Sequence, residues 1–428
     1  MKPISWAAGL LLALGASVSW GQDAETAAAE PAPAASAVSA ESVVLAEPVV
    51  SAEPAVSAEP AEPAVSAVGT GTEYAYDGTS PRFFDQLNVN GYVNAGYFGN
   101  THGSAFNGNA NTGTESGGAL NGVYLSVEKA AENDGCGFDY GWKVDLAFGE
   151  DTRFMRVNSG LDEGWFTGHD RRKNDTYGFA LPQAYFDVAV NQWLTRVGHF
   201  YTPLGYEGAR ADGRFFYSRS LSFDALPVVQ SGVMSYYQGI EGLEIGFGWT
   251  NGLNEGFDHE DGGSLAMLTA KYHFSERTYL KYAVAAGDVF DTENEKGERF
   301  QMYGQLHSLV LESKLTACLT AATTLDWQKY GIDGKNEASE RFVIGQHLYR
   351  QMNDYWKLGM RVEWQKDDEE VKADSEFCSL TFGANWQPTA SENLVLRPEI
   401  RYDKSTQAIY GSKSEDQLAL GLDVMFRF

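Results

Sequence analysis

The sequence predicts an all-β protein: a transmembrane, antiparallel up-and-down β-barrel of about 16 strands with a disordered N-terminal arm. Three observations predict it. From Gln86 to Phe428, apolar and polar residues alternate in segments of roughly ten residues. The connections between segments alternate too, a tight turn and then a long excursion. Aromatics reach 13% while mean hydropathy is −0.32. That pairing suits a barrel with an apolar outside and wet loops, and it is unlike a bundle of spanning helices.

Residues 1–21 read as an export signal, with Lys2 at the basic end and an apolar run from Trp6 to Ala16. Small residues Ser17, Ser19 and Gly21 permit cleavage near Gly21. Residues 22–76 form a periplasmic linker of Ala, Pro, Glu, Val and Ser, in which Val50-Ser51-Ala52-Glu53-Pro54-Ala55 recurs as Val56-Ser57-Ala58-Glu59-Pro60-Ala61. It has no aromatic until Tyr74 and no basic residue until Arg82. Too little apolar surface is present to offset the entropy of ordering, so disorder is expected. The linker serves as a spacer or as a tether to another envelope layer.

Residues 77–428 are the predicted barrel. Phe138, Tyr140, Trp142, Val144, Leu146 and Phe148 share one face, opposite Asp139, Lys143 and Asp145. Trp356, Leu358, Met360, Val362 and Trp364 repeat the pattern, as do Leu418, Leu420, Leu422, Val424, Phe426 and Phe428. Strands are expected near 86–98, 120–128, 138–149, 183–190, 193–200, 231–238, 241–250 and 264–274. Eight more are expected near 278–287, 301–312, 315–328, 341–350, 354–366, 375–386, 393–403 and 416–428. Tight turns fall at Asn191-Gln192, Gly239-Ile240, Ser275-Glu276-Arg277, Ser313-Lys314 and Gln351-Met352-Asn353. The long connections all lie on the other side, taken as extracellular, with both chain ends periplasmic. The connection 129–137 is longer than a periplasmic turn should be. Tyr303, His307 and Leu309 leave the facing of 301–312 open, so 14 or 18 strands stay allowed. Trp142, Trp249, Trp327, Trp356, Trp364 and Trp386, towards segment ends, fit two interface girdles.

Net charge is −26, from 58 acidic against 32 basic residues, which excludes a nucleic-acid partner. Cys136, Cys318 and Cys378 make no disulfide framework; by alternation Cys318 faces inward and Cys378 outward. No zinc spacing or phosphate-cradling loop is present, and Asp258, Glu260 and Asp261 do not match a calcium loop, so neither metal nor cofactor is expected. Catalysis is not expected either. His307 and Ser308 are adjacent on a strand and point to opposite faces, while His169-Asp170 and Asp258-His259 lie in exterior loops.

Alternation places Lys143, Asp145, Arg196, Arg361, Glu363, Arg397, Glu399, Arg401, Asp423 and Arg427 in the lumen, with Asp187, Lys281, Asp326 and Lys357. A charge facing lipid costs about 2–4 kcal/mol for Arg or Lys at mid-depth, so these should face water. The late arginines make one wall positive, or they pair with Glu363, Glu399 and Asp423 and select nothing. The connection 201–230 carries Glu207, Arg210, Asp212, Arg214 and Arg219 around Phe215-Phe216-Tyr217. Three adjacent rings want burial, and the available place is the inner wall. This connection is therefore expected to fold inward and constrict a channel, presenting those five charges to the passage. A lid or subunit contact on top is the alternative.

Val197-Gly198-His199-Phe200-Tyr201-Thr202-Pro203-Leu204-Gly205-Tyr206-Glu207, Phe216-Tyr217-Ser218-Arg219-Ser220 and Ser231-Gly232-Val233 resemble the signature of the β-barrel porin-2 (OmpL-like) family. The resemblance implies an outer-membrane porin that passes small hydrophilic solutes or ions, and it supplies no substrate and no catalytic residues. The terminal Phe426 and Phe428 resemble the signal that takes such barrels to the barrel-assembly machinery. Implied partners are outer-membrane lipid and, by analogy with barrels of this size, a homotrimer. A structural barrel with a closed lumen and a sugar- or anion-specific channel remain the alternatives.

Overall fold

The computed structural model describes residues 87–102, 117–131, 135–157, 177–257, 262–293, 299–332, 338–369, 374–388, 393–411 and 413–428. The predicted signal and linker, residues 77–86, the His169-Asp170 pair and residues 258–261 lie outside the described residues. Sixteen strands form one sheet: β1 (Asn88–Asn100), β2 (Gly117–Lys129), β3 (Phe138–Gly149), β4 (Gly178–Val190), β5 (Trp193–Tyr201), β6 (Val229–Ile240), β7 (Leu243–Thr250) and β8 (Ser264–Ser275). They continue as β9 (Thr278–Glu293), β10 (Arg299–Thr316), β11 (Leu319–Ile332), β12 (Ala338–Gln351), β13 (Trp356–Glu369), β14 (Ser375–Trp386), β15 (Leu394–Ser405) and β16 (Asp416–Arg427). Each pairs antiparallel with its sequence neighbours, and β1 pairs with β16, which closes the barrel. The seam ends on reciprocal backbone bonds between Gly91 and Phe428, both 2.9 Å. Closure leaves no unpaired sheet edge, the condition for a sheet in hydrocarbon.

The alternation places side chains as expected. Val144, Leu146, Leu358, Val362, Leu420 and Val424 are exposed outside, while Asp145, Arg361, Glu363 and Asp423 are buried within. On β10 the open question resolves: Leu306, Ser308 and Val310 are buried inside, while His307 faces out and bonds the Tyr282 hydroxyl at 2.7 Å. Trp356 and Trp386 stack outside near the short-turn rim, and Trp249, Trp327 and Trp364 lie outward towards the other.

Two turns sit further along than the sequence suggests. β6 runs through Gly239-Ile240, and the chain reverses at Glu241-Gly242, where Gly242 takes φ 71° without a Cβ penalty. β10 runs through Ser313-Lys314 to Thr316, so Cys318 lies in an exposed turn rather than facing inward. Ser313 reads as turn chemistry, yet its hydroxyl is used across the ladder with Thr278 at 2.7 Å. The described start of the 129–137 connection packs on the wall. Lys129 Nζ reaches Asp139 at 3.1 Å, and a Cβ on Gly141 would meet Ala131 N at 2.5 Å.

The inner face is less polar than simple alternation implies. Tyr92, Tyr124, Met234, Leu306 and Val343 point inward and are buried, because among the described residues 150–157 and 202–228 enter the barrel and join their cluster.

Candidate functional site: the segment inside the barrel

After Tyr201 the chain leaves the wall, crosses the lumen and returns at Val229, its neck closed by Thr202 N to Val228 O at 2.9 Å. Nearly all of 202–228 is buried. It contains one turn of helix, α1 (Leu221–Ala225), capped by the Ser220 hydroxyl accepting from Phe223 N.

The wall holds this segment mainly by its backbone. Gly205 N donates to the Ser308 hydroxyl at 2.9 Å, and Lys281 donates to Gly205 O. Arg397 donates to Ala211 O at 2.7 Å and Arg214 O at 2.8 Å. Arg427 reaches Asp212 O at 3.2 Å, and Arg401 reaches Arg219 O at 2.5 Å. Arg361 donates to Ser218 O at 3.2 Å and Arg219 O at 3.0 Å. Carboxylates take the N–H groups: Glu399 accepts from Ser218 N at 3.1 Å and Glu363 from Leu221 N at 2.7 Å, while Asp326 accepts from the Ser222 hydroxyl. A buried loop must satisfy its peptide groups, and here ionised wall side chains do so.

The same arginines are paired with acids. Arg361 lies 2.9 Å from Glu363 and 3.3 Å from Glu207, Arg397 lies 2.5 Å from Asp423, and Arg401 lies 2.8 Å from Asp403. Of the two readings of the late arginines, paired charges are what is found, with two changes. Arg401 takes Asp403, which alternation had not singled out, and Glu399 serves the segment's backbone. Arg361, Arg397 and Arg401 are at most 1% exposed, so they do not line an open passage at this level.

The five charges of the segment are engaged rather than turned to an open passage. Glu207 accepts from Ser220 N at 2.9 Å beside Arg361, and Arg210 pairs with Asp212 at 2.6 Å over the Tyr124 ring. Arg214 and Arg219 converge on Asp151, at 3.3 and 2.9 Å. Burial opposes ionisation of Glu207, but Arg361, Arg214 and the Ser220 side chain outweigh it and hold its carboxyl below the ordinary value. Burial and the neighbouring Arg219 push the Arg214 guanidinium down to about 10.

The rings sit in a notch. Gly359, Gly383, Glu399 and Gly421 lie directly across from one another on β13, β14, β15 and β16. A Cβ at Gly359 would lie 2.2 Å from the Phe215 ring, and one at Gly383 or Gly421 would lie 3.0 Å from Phe216 or Tyr217. Three missing side chains thus make room for Phe215-Phe216-Tyr217.

The remaining lumen candidates pair locally. Lys143 meets Glu128 at 3.1 Å, Asp145 accepts from Tyr124 at 2.5 Å, and Arg196 grips Asp187 at 2.8 Å. Phe426 and Phe428 are exposed on the outer face. Sequence reasoning missed a second inward stretch. Residues 150–157, with a 3-10 turn at Glu150–Phe154, place Asp151 under Arg214 and Arg219 and pack Phe154 on Phe223. Its one signal is the apolar Phe154-Met155 within a long connection.

A family model described as "Putative beta-barrel porin-2, OmpL-like" matches residues 86–428. Several solved structures share the fold with little sequence identity. A loop-deletion mutant of OmpT, an outer membrane protein of Vibrio cholerae, is 10% identical at TM-score 0.52, over 80% of this chain and 99% of that one. An anion-selective porin from Comamonas acidovorans is 14% identical at 0.52, over 80% and 99%. The outer membrane channel DcaP of Acinetobacter baumannii is 11% identical at 0.52, over 80% and 97%. No curated protein matches the chain by sequence.

Proposed function

The chain belongs to the β-barrel porin-2, OmpL-like family, and on that footing we propose that residues 202–228 decide what its pore admits. As an outer-membrane porin the barrel lets small hydrophilic solutes or ions cross passively. The segment is the narrowing element and closes the lumen at rest.

One observation carries this reading. The arginines at mid-barrel are spent on the carbonyls of residues 211–219 and on their own acids. They hold a plug in place and do not form a ladder for ions. Passage then requires the segment to shift within its latch, a two-state element inside a fixed wall.

Planar-bilayer recording tests it. Replacing 208–219 by a short Gly-Ser bridge should raise single-channel conductance several-fold, while circular dichroism stays predominantly β. Equal conductance with and without the segment would refute the plug. The burial at Arg361 also favours a second reading, a barrel closed for good with a structural role. Silence from every variant, including the bridged one, would select that reading.

A further inference from the structure

Segment and wall bring a second cluster together towards the short-turn end, and there the side chains are only half-buried. Phe215 lies 4.8 Å from Tyr349, ring to ring, and Tyr206 lies 5.1 Å from His347. Tyr206 donates its hydroxyl proton to Glu312 at 2.8 Å, and Tyr279 is the direct cross-strand neighbour of Glu312. Phe215, Tyr206, Tyr279, Tyr349 and Glu312 are all partly open to water, unlike the arginines beside them.

The charge around this cluster narrows the ligand. Lys271 Nζ covers the Tyr279 ring at 4.6 Å, so the cation site on that ring is taken. Lys314, two residues from Glu312 along β10, is exposed. With Lys271 on the neighbouring Tyr279 ring and Lys314 two residues along the strand, the cluster carries both signs of charge and favours neither a free anion nor a free cation. What remains is a surface of ring faces beside a carboxylate that keeps accepting capacity and beside phenolic hydroxyls. A neutral ring with an apolar face and several hydroxyls matches it.

We propose that Phe215, Tyr349, Tyr206, Tyr279 and Glu312 form a docking site for a sugar ring in transit. This rests on the pore reading above and makes the pore a saturable sugar channel. Because Tyr206 and Phe215 belong to the plug, an occupied site bears on the plug itself.

The test uses the full-length protein in planar bilayers with maltotriose and sucrose as probes and choline chloride as a charged control. Either sugar should reduce the ion current with a saturating concentration dependence. Tyr349→Ala and Glu312→Gln should each raise the half-saturating concentration about tenfold or more, and Tyr349→Trp should restore it. Ion flow that neither sugar affects, or a block by choline instead, would overturn the site. If no variant conducts, the pore reading fails by itself. Titration calorimetry of maltotriose into the detergent-solubilised protein then decides the site, and absence of saturable heat overturns it.

Discussion

Arg361 touches a wall acid, Glu363, a segment acid, Glu207, and two carbonyls of the segment. Removing one partner of a buried pair costs about 3–5 kcal/mol, because the other charge is left uncompensated. Arg361→Met should therefore loosen the segment by that order while the strands persist. Limited trypsin digestion should then cut at Arg210 or Arg214 in the folded variant and spare the wild type. Glu207 adds a pH dependence of definite sign. Its folded value is depressed, so its stabilisation is present above the ordinary carboxylate value of about 4.3 and is lost as pH falls through the folded value. The groups facing it are the Arg361 and Arg214 guanidinium groups, the His347 ring and the Glu363 carboxyl. Glu207→Gln should remove this contribution at neutral pH and flatten the acid limb of the conductance–pH curve. An unchanged acid limb would show that Glu207 does not hold the plug.

At the scale of elements, the notch on β13, β14 and β16 is the most specific feature. A branched side chain at Gly359 must displace Phe215, and overpacking of this kind costs about 1–3 kcal/mol. Gly359→Val should leave the barrel closed but expel the triplet, which bilayer recording would register as raised conductance. The strands themselves were legible because period-two alternation held over about ten residues per segment is what a sheet crossing lipid requires, longer than a soluble sandwich usually needs. Turn positions were less legible. Ser313-Lys314 has turn composition, yet its position in the ladder is set by the register of β10 with β11. The inward course of residues 150–157 left only the faint mark of Phe154-Met155, since its burial depends on a partner segment 63 positions away, Asp151 with Arg214.

For the whole molecule, the seam at Gly91 and Phe428 closes the cylinder. Deleting Phe428 removes two backbone bonds and an outward ring at the rim. The folded fraction recovered from the outer membrane should fall, and undiminished recovery would separate this residue from assembly. The linker expected at residues 22–76 can be tested by deleting it. Conductance of the shortened protein should match that of the full chain.

Taken alone, the sequence determined a closed antiparallel barrel of about 16 strands, its lipid face and the charges of its lumen. Those follow from alternation, which local chemistry enforces residue by residue. Only the tertiary structure decided that the lumen charges pair with one another and grip a backbone, and that three glycines seat three rings. Such contacts join residues far apart in the chain, as Arg361 with Ser218 at 143 positions and Glu399 with Ser218 at 181. No spacing along the chain encodes them, because the closure of the wall alone brings β13 and β15 to the segment that leaves β5.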